Sequence, residues 1–168
     1  MRWLYLLSVW VHILSAILWI GGMTFLVLVL VPVTREKAYK HISADLIEKT
    51  GIRFRWIGWI CLILLIISGL LNLNFRGIDW NELIRSQFWK GSFGFTLGIK
   101  LMLVAFILIL SALHDFIIGP KAIRLWQENP QSLQARRWRL RASWFGRINL
   151  LLALTALFLA IALVRGGI

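Results

Sequence analysis

The sequence is poor in acidic residues, proline and cysteine. Its 168 residues include 7 Asp and Glu, 3 prolines and a single cysteine, Cys61. One cysteine excludes an intramolecular disulfide framework and every Cys-x-x-Cys redox or metal motif. Charged residues make up only 15% of the chain, whereas soluble domains contain roughly 25%. An ordinary soluble domain is therefore excluded.

Apolar residues and positive charge take the place of what is missing. The chain is 60% hydrophobic, its mean hydropathy is +0.79, and its formal net charge is +12. A helix that spans a membrane needs about 20 mostly apolar residues. Four stretches satisfy this: residues 3–33, 56–75, 93–118 and 143–165. We therefore predict an all-α integral membrane four-helix bundle, with residues 1–168 forming a single transmembrane domain.

The basic residues predict how the bundle is oriented, because Lys and Arg are retained on the cytoplasmic side. The first and third connections carry six and seven of them, and the opposite side carries five. Both termini are thus expected outside a bacterial-type inner membrane. The cytoplasmic bases are expected to contact anionic lipid headgroups. Since most of the charge is explained in this way, no nucleic-acid partner is expected.

Short motifs predict where helices begin and end. Gly119-Pro120 is a typical stop and is expected to end the third spanning helix. Asn129-Pro130 is typical of an N-cap followed by the first helical residue, so the fourth helix is expected to begin well before the bilayer. The capping-box-like run from Asp79 to Glu82 predicts a short interfacial helix in the outer connection.

Polar residues within the apolar stretches predict the faces that point into the bundle. At about 100° per residue, each of the following sets shares one helix face: His12, Ser15, Trp19 and Met23; Gly58, Cys61, Ser68 and Asn72; Lys100, Ile107, Ser111 and His114; Gly146, Asn149, Ala153, Ala156 and Ala160. With a rise of about 1.5 Å per residue, His12 and Lys100 share an outer layer, and His114 lies about 20 Å deeper than Lys100. This separation excludes His12 and His114 as ligands of one haem or one ion.

Each of these residues also has a structural interpretation. His12 could be a core histidine bonded to a backbone carbonyl or to Ser15, and Lys100 could extend toward the outer surface. His114 and Asp115 could form an ion pair with Arg147 or Arg55 near the headgroups. Simple core packing would explain four more residues: Trp19, Met23, Cys61 and Met102.

The arrangement of motifs resembles a known family. The first stretch reads HILSAILWIGGM, in which His12 is followed by Trp19 and Gly22. Further matching segments follow in order: Gly51 to Arg55, Ser68 to Asn72, Lys100-Leu101, Ala112 to Asp115, and Gly119-Pro120. Over nearly the whole chain, this order resembles the copper-resistance D (CopD-like) membrane family and, more distantly, the HemJ-type protoporphyrinogen oxidases. The first resemblance implies copper homeostasis. The second implies haem b bound through His12, with Lys100 as an intramembrane lysine.

Three functions follow, and no catalytic constellation favours an enzyme over a binding or transport protein. Copper binding or transport would use soft sulfur and imidazole ligands, for which the candidates are His12, His114, Met23, Cys61 and Met102. A haem b redox protein would use His12, with Lys100 beside a propionate or as a deprotonated ligand and Trp19 as cover. The third alternative is a structural or assembly protein without a cofactor. A periplasmic copper or redox partner fits the first two, and the oligomeric state stays open.

Overall fold

The protein is built from four long helices, which the computed structural model describes over residues 2–168. They are α1 (Arg2–Val33), α2 (Ser43–Phe75), α4 (Ser92–Glu128) and α5 (Leu133–Val164), and each is long and apolar enough to cross a membrane. The short helix α3 (Trp80–Ile84) lies between α2 and α4. The predicted all-α four-helix fold is confirmed, and the chain is a multi-pass membrane protein.

The helices form a closed antiparallel ring. Helix α1 packs along α2 and α4 packs along α5, while α1 also contacts α5 and α2 contacts the last part of α4. Short connections between consecutive helices favour antiparallel neighbours. Both termini therefore lie at one end of the bundle. We call this end the outer end and the opposite end the inner end.

Two π-helical turns interrupt the long helices toward the inner end. One spans Leu26–Leu30 in α1 and the other spans His114–Ile118 in α4. The backbone N–H of Gly119 bonds the His114 carbonyl, which is five residues earlier. A π-turn widens the helix locally and often marks a functional segment.

The prediction that α4 ends at Gly119-Pro120 is wrong, because the helix continues to Glu128. Pro120 occupies the first turn of the α-helical segment that follows the π-turn. Because proline has no N–H, one carbonyl of the preceding π-turn lacks a helical donor, and the regular hydrogen-bond ladder is interrupted there. A proline that normally stops a helix is thus accommodated within a continuous rod.

Two predicted caps also differ from the structure. Helix α5 begins at Leu133 with Ser132 as its N-cap, and the Ser132 hydroxyl accepts the Ala135 N–H at 3.0 Å. Asn129 instead ends α4 in an extended conformation, so it is not the N-cap of α5. Asp79 does precede α3, but its side chain makes no capping hydrogen bond.

A core of apolar side chains from all four long helices fills the middle of the bundle. Its buried members are Trp19, Met23, Cys61, Leu62, Ile107, Leu150 and Ala153. Small residues allow the helices to approach closely. At Gly22, an added Cβ would overlap the ring of Phe54 on α2. Any larger residue at this position would displace the Phe54 ring from α1.

We expect Ala153→Leu to destabilise the bundle, because Ala153 is 1% exposed within this core. Overpacking of a filled core costs about 1–3 kcal/mol. Thermal unfolding in detergent measures the effect. Ala105→Leu makes the same change at an exposed position of α4 and should leave the midpoint unchanged. Equal midpoints for the two variants would contradict this packing.

Candidate functional site

The outer layer is organised by a hydrogen bond between α1 and α2. His12 Nδ1 lies 2.8 Å from Ser68 Oγ, and Ser8 Oγ donates to the Ser68 carbonyl at 3.3 Å. Ser15, the side chain considered as the partner of His12, is buried, but Ser68 forms the bond. The sequence placed Ser68 on an inward face without indicating which helix it would meet.

The Ser68 hydroxyl determines which ring nitrogen of His12 carries a proton. Ser68 Oγ donates to the Leu64 carbonyl at 2.5 Å, the return bond that serine makes within a helix. A hydroxyl has one hydrogen to donate. Ser68 must therefore accept from His12, so the Nδ1 atom carries the proton and the Nε2 lone pair stays available.

The surroundings keep the His12 ring in place. A Cβ added at Gly69 would lie 3.4 Å from His12 Cε1, so a side chain larger than alanine would press on the ring. Lys100 on α4 is half-buried. Trp19 is buried one layer deeper, against Gly58. Trp19 therefore belongs to the core of the bundle.

The central layer contains a polar cluster within the apolar core. Asn149 Nδ2 donates to Ser111 Oγ at 2.9 Å and lies 3.9 Å from Met23 Sδ. Cys61 is buried in the same core cluster. Among the described residues, Asn149 Oδ1 is a buried atom without a hydrogen-bond partner. This layer therefore combines two soft sulfur atoms with an unpaired amide oxygen.

The inner layer joins α2 to the π-turn of α4. His114 Nδ1 lies 3.0 Å from Asp115 Oδ1, and Trp59 Nε1 donates to Asp115 Oδ2 at 3.1 Å. Because a carboxylate only accepts, His114 Nδ1 is the donor in this bond. Arg55 stacks on Phe116, with 5.5 Å from its guanidinium carbon to the ring centroid. The two acceptor bonds of Asp115 thus come from His114 and Trp59, not from Arg55 or Arg147.

One candidate ligand lies away from these layers. Met102 is 67% exposed on the side of α4 that points away from the other helices. It is two residues, or about 200°, around the helix from Lys100. Within residues 2–168, no three His, Cys, Asp or Glu side chains are grouped so that they could hold a metal ion. The remaining candidates are therefore distributed over the three layers.

Comparison with known proteins gives the family. Residues 48–163 match the family Copper resistance protein D. This chain belongs to that family. An uncharacterized protein of Aquifex aeolicus (strain VF5) is 29% identical over 161 residues, 95% of each chain. No solved structure matches. The predicted CopD-like membership is confirmed, and it makes the chain a membrane protein related to copper resistance.

In this family member, several hydrogen-bond contacts within the inner and central layers could not be predicted from the sequence. Trp59 belongs to none of the sets of inward-facing residues, yet it donates to Asp115. Ser111 and Asn149 were placed on inward faces, but their contact was not foreseen. The available signal was depth, because residues at one level on different helices are potential partners.

We expect His12 to carry its proton on Nδ1, as the Ser68 bonding requires. Nitrogen NMR of protein labelled at histidine in lipid should show a protonated Nδ1 and a bare Nε2. Ser68→Ala should shift the population toward the Nε2-protonated form. Ser15→Ala, at a buried serine on the same face as His12, should change nothing. A protonated Nε2 in the unmodified protein would contradict the assignment.

Proposed function

We propose that this family member binds copper inside its bundle and transfers it between the three layers. The observation that supports this most strongly is the state of the two intramembrane histidines. In each, Nδ1 lies within hydrogen-bond distance of a protein oxygen, which leaves Nε2 as the nitrogen that would bind a metal. Metal-binding histidines have this arrangement, because the second bond fixes the ring and raises its basicity.

The central layer supplies ligands suited to Cu(I). Thioether and thiolate sulfur atoms select this soft ion, and Met23 and Cys61 are buried in one cluster there. Along α1, Met23 is about 16 Å from His12, and along α2, Cys61 is about 10 Å from Ser68. One ion cannot bind both layers at once, so transfer in steps is the consistent mechanism.

We also propose that the bundle lies in an inner membrane with its termini outside. The bases of the inner end would then face the cytoplasm and anionic headgroups, as the distribution of Lys and Arg favours. Several of them stack on tryptophans, including Arg139 on Trp126 at 4.5 Å and Lys121 on Trp138 at 4.2 Å. Such amphipathic pairs are suited to the headgroup region.

Haem b would use the same Nε2 atom of His12. It would also need open space for a ring beside that atom. The next layer is filled by Trp19, and Ala153 is packed within the core. These contacts favour a metal ion over a macrocycle, and an absorption spectrum separates the two.

We expect purified protein loaded with Cu(I) to retain copper against a weak chelator. His12→Ala and His114→Ala should each lower the retained amount, because each removes a ligand. Ser68→Ala should weaken the outer site by about 10–100-fold, the usual effect of losing a partner of a ligating histidine. His41→Ala, at an exposed histidine between α1 and α2, is the matched control.

Two results would contradict copper binding. One is loss of copper from the unmodified protein to a weak chelator, and the other is equal retention by all the histidine variants. A Soret band that His12→Ala abolishes would assign haem b instead. Elemental analysis and the absorption spectrum can be measured on the same preparation.

We expect the inner end to face the cytoplasm. Cys61→Ser removes the only cysteine, so single cysteines can then be introduced at exposed sites. Gln131→Cys should resist a membrane-impermeant thiol reagent in intact cells, and Ser86→Cys should react. The reverse labelling pattern would invert the topology.

A further inference from the structure

Asn149 places an amide inside the apolar core of the bundle. Its side chain is only 7% exposed, and it is followed on α5 by the buried Leu150 and, one turn later, by the buried Ala153. An amide in such a place costs free energy unless its donors and its acceptor find partners. The contacts that Asn149 makes with α1 and α4 therefore decide what this residue does.

Both of these contacts use the nitrogen atom of the amide. Asn149 Nδ2 donates to Ser111 Oγ at 2.9 Å and lies 3.9 Å from Met23 Sδ. Asn149 Oδ1 is buried and has no hydrogen-bond partner among the described residues. Because an amide nitrogen carries two hydrogens, each neighbour receives one of them, and the oxygen atom is left unpaired.

The Met23 sulfur fixes this orientation of the amide. A thioether sulfur only accepts hydrogen bonds, whereas a serine hydroxyl both donates and accepts them. If the amide were turned by 180°, Ser111 could still bond to it, now as the donor. Met23 Sδ would then face the Asn149 oxygen, with lone pair against lone pair. Ser111 thus permits both orientations, and Met23 permits one.

A Cu(I) ion bound to the Met23 sulfur would reverse this preference. Thioether sulfur is a ligand that this soft ion selects. An N–H group directed at the same sulfur competes for its lone pairs, and its positive end repels the ion. The oxygen and nitrogen ends of the amide have nearly the same shape, so Asn149 fills the same space in either orientation.

We propose that Asn149 is the positioning residue of the central layer and that its amide turns over when Cu(I) binds Met23. Oδ1 then faces the ion and accepts the Ser111 hydroxyl. This inference rests on the proposed copper function and adds a step to it. The return of the N–H group to the sulfur weakens the site and promotes release. A passing ion must bind firmly enough to enter a site and weakly enough to leave it.

Release of Cu(I) to an excess of chelator tests this role, with the full chain in non-ionic detergent. A background of His12→Ala and His114→Ala restricts the measurement to the central layer. Asn149→Asp has the same shape and, as a carboxylate, only accepts, so it should slow release several-fold. Asn149→Leu should speed release several-fold, because the lost attraction between oxygen and cation exceeds the lost N–H···S bond. Asn81→Leu, at an exposed asparagine of α3, should match the background.

Infrared spectra of protein with carbon-13 at the asparagine side-chain carbonyls report the turnover directly. The band that Asn149→Leu removes belongs to the carbonyl of this residue. Cu(I) should shift this band to lower frequency, because the oxygen gains both the Ser111 donor and the ion. Ser111→Ala should reduce the shift, and Met23→Leu should abolish it. The shift is measured on the unmodified chain, so the test does not depend on how well a variant folds.

Two results would overturn the proposal while copper binding stands. One is a change of the release rate in the same direction for Asn149→Asp and Asn149→Leu, as expected if the asparagine only packs the core. The other is an unchanged carbonyl band in protein that retains Cu(I). Loss of copper from the unmodified protein to a weak chelator would contradict the copper function itself, and this inference with it.

Discussion

The bundle depends on one constraint: inside a bilayer, no water is available to satisfy a polar group. Polar side chains there must find partners on other helices, and three cross-helix links do so at three depths: His12–Ser68, Asn149–Ser111 with Met23, and Trp59–Asp115–His114. The outer link joins α1 to α2, the central link joins α5 to α4 and α1, and the inner link joins α2 to α4. The bonds that hold the helices together also orient the two histidines, so the site and the packing cannot be separated.

This constraint explains what the sequence predicts and what it does not. The thickness of the membrane determines the length of an apolar stretch, so the number of helices could be predicted. Periodicity then identifies the inward face of each helix, including His12 and Ser68. It does not say which helices are neighbours, and Ser15 was therefore as reasonable a partner for His12 as Ser68. Helix ends were harder still, because Gly119-Pro120 stops a regular helix but not one that contains a π-turn.

The π-turn of α4 also determines the geometry of the inner layer. An extra residue in a turn shifts the helix phase that follows it. Counting by about 100° per residue from Lys100 reaches Ser111 correctly, but it cannot be continued through His114–Ile118. Within this segment the neighbouring residues His114 and Asp115 bond to each other, and Asp115 also reaches Trp59 on α2. Two residues adjacent in sequence thus contribute to one cluster, which regular helix geometry does not predict.

The two ends of the candidate site differ in charge. At the inner end, the Asp115 carboxylate accepts hydrogen bonds from His114 and Trp59. At the outer end, Lys100 is half-buried, and none of the ion pairs of the described residues includes it. A basic group in the outer half and a carboxylate in the inner layer produce a potential that favours a cation at the inner end. A copper ion that moves inward from His12 would therefore approach the carboxylate as it passes to the neutral sulfur ligands of the core.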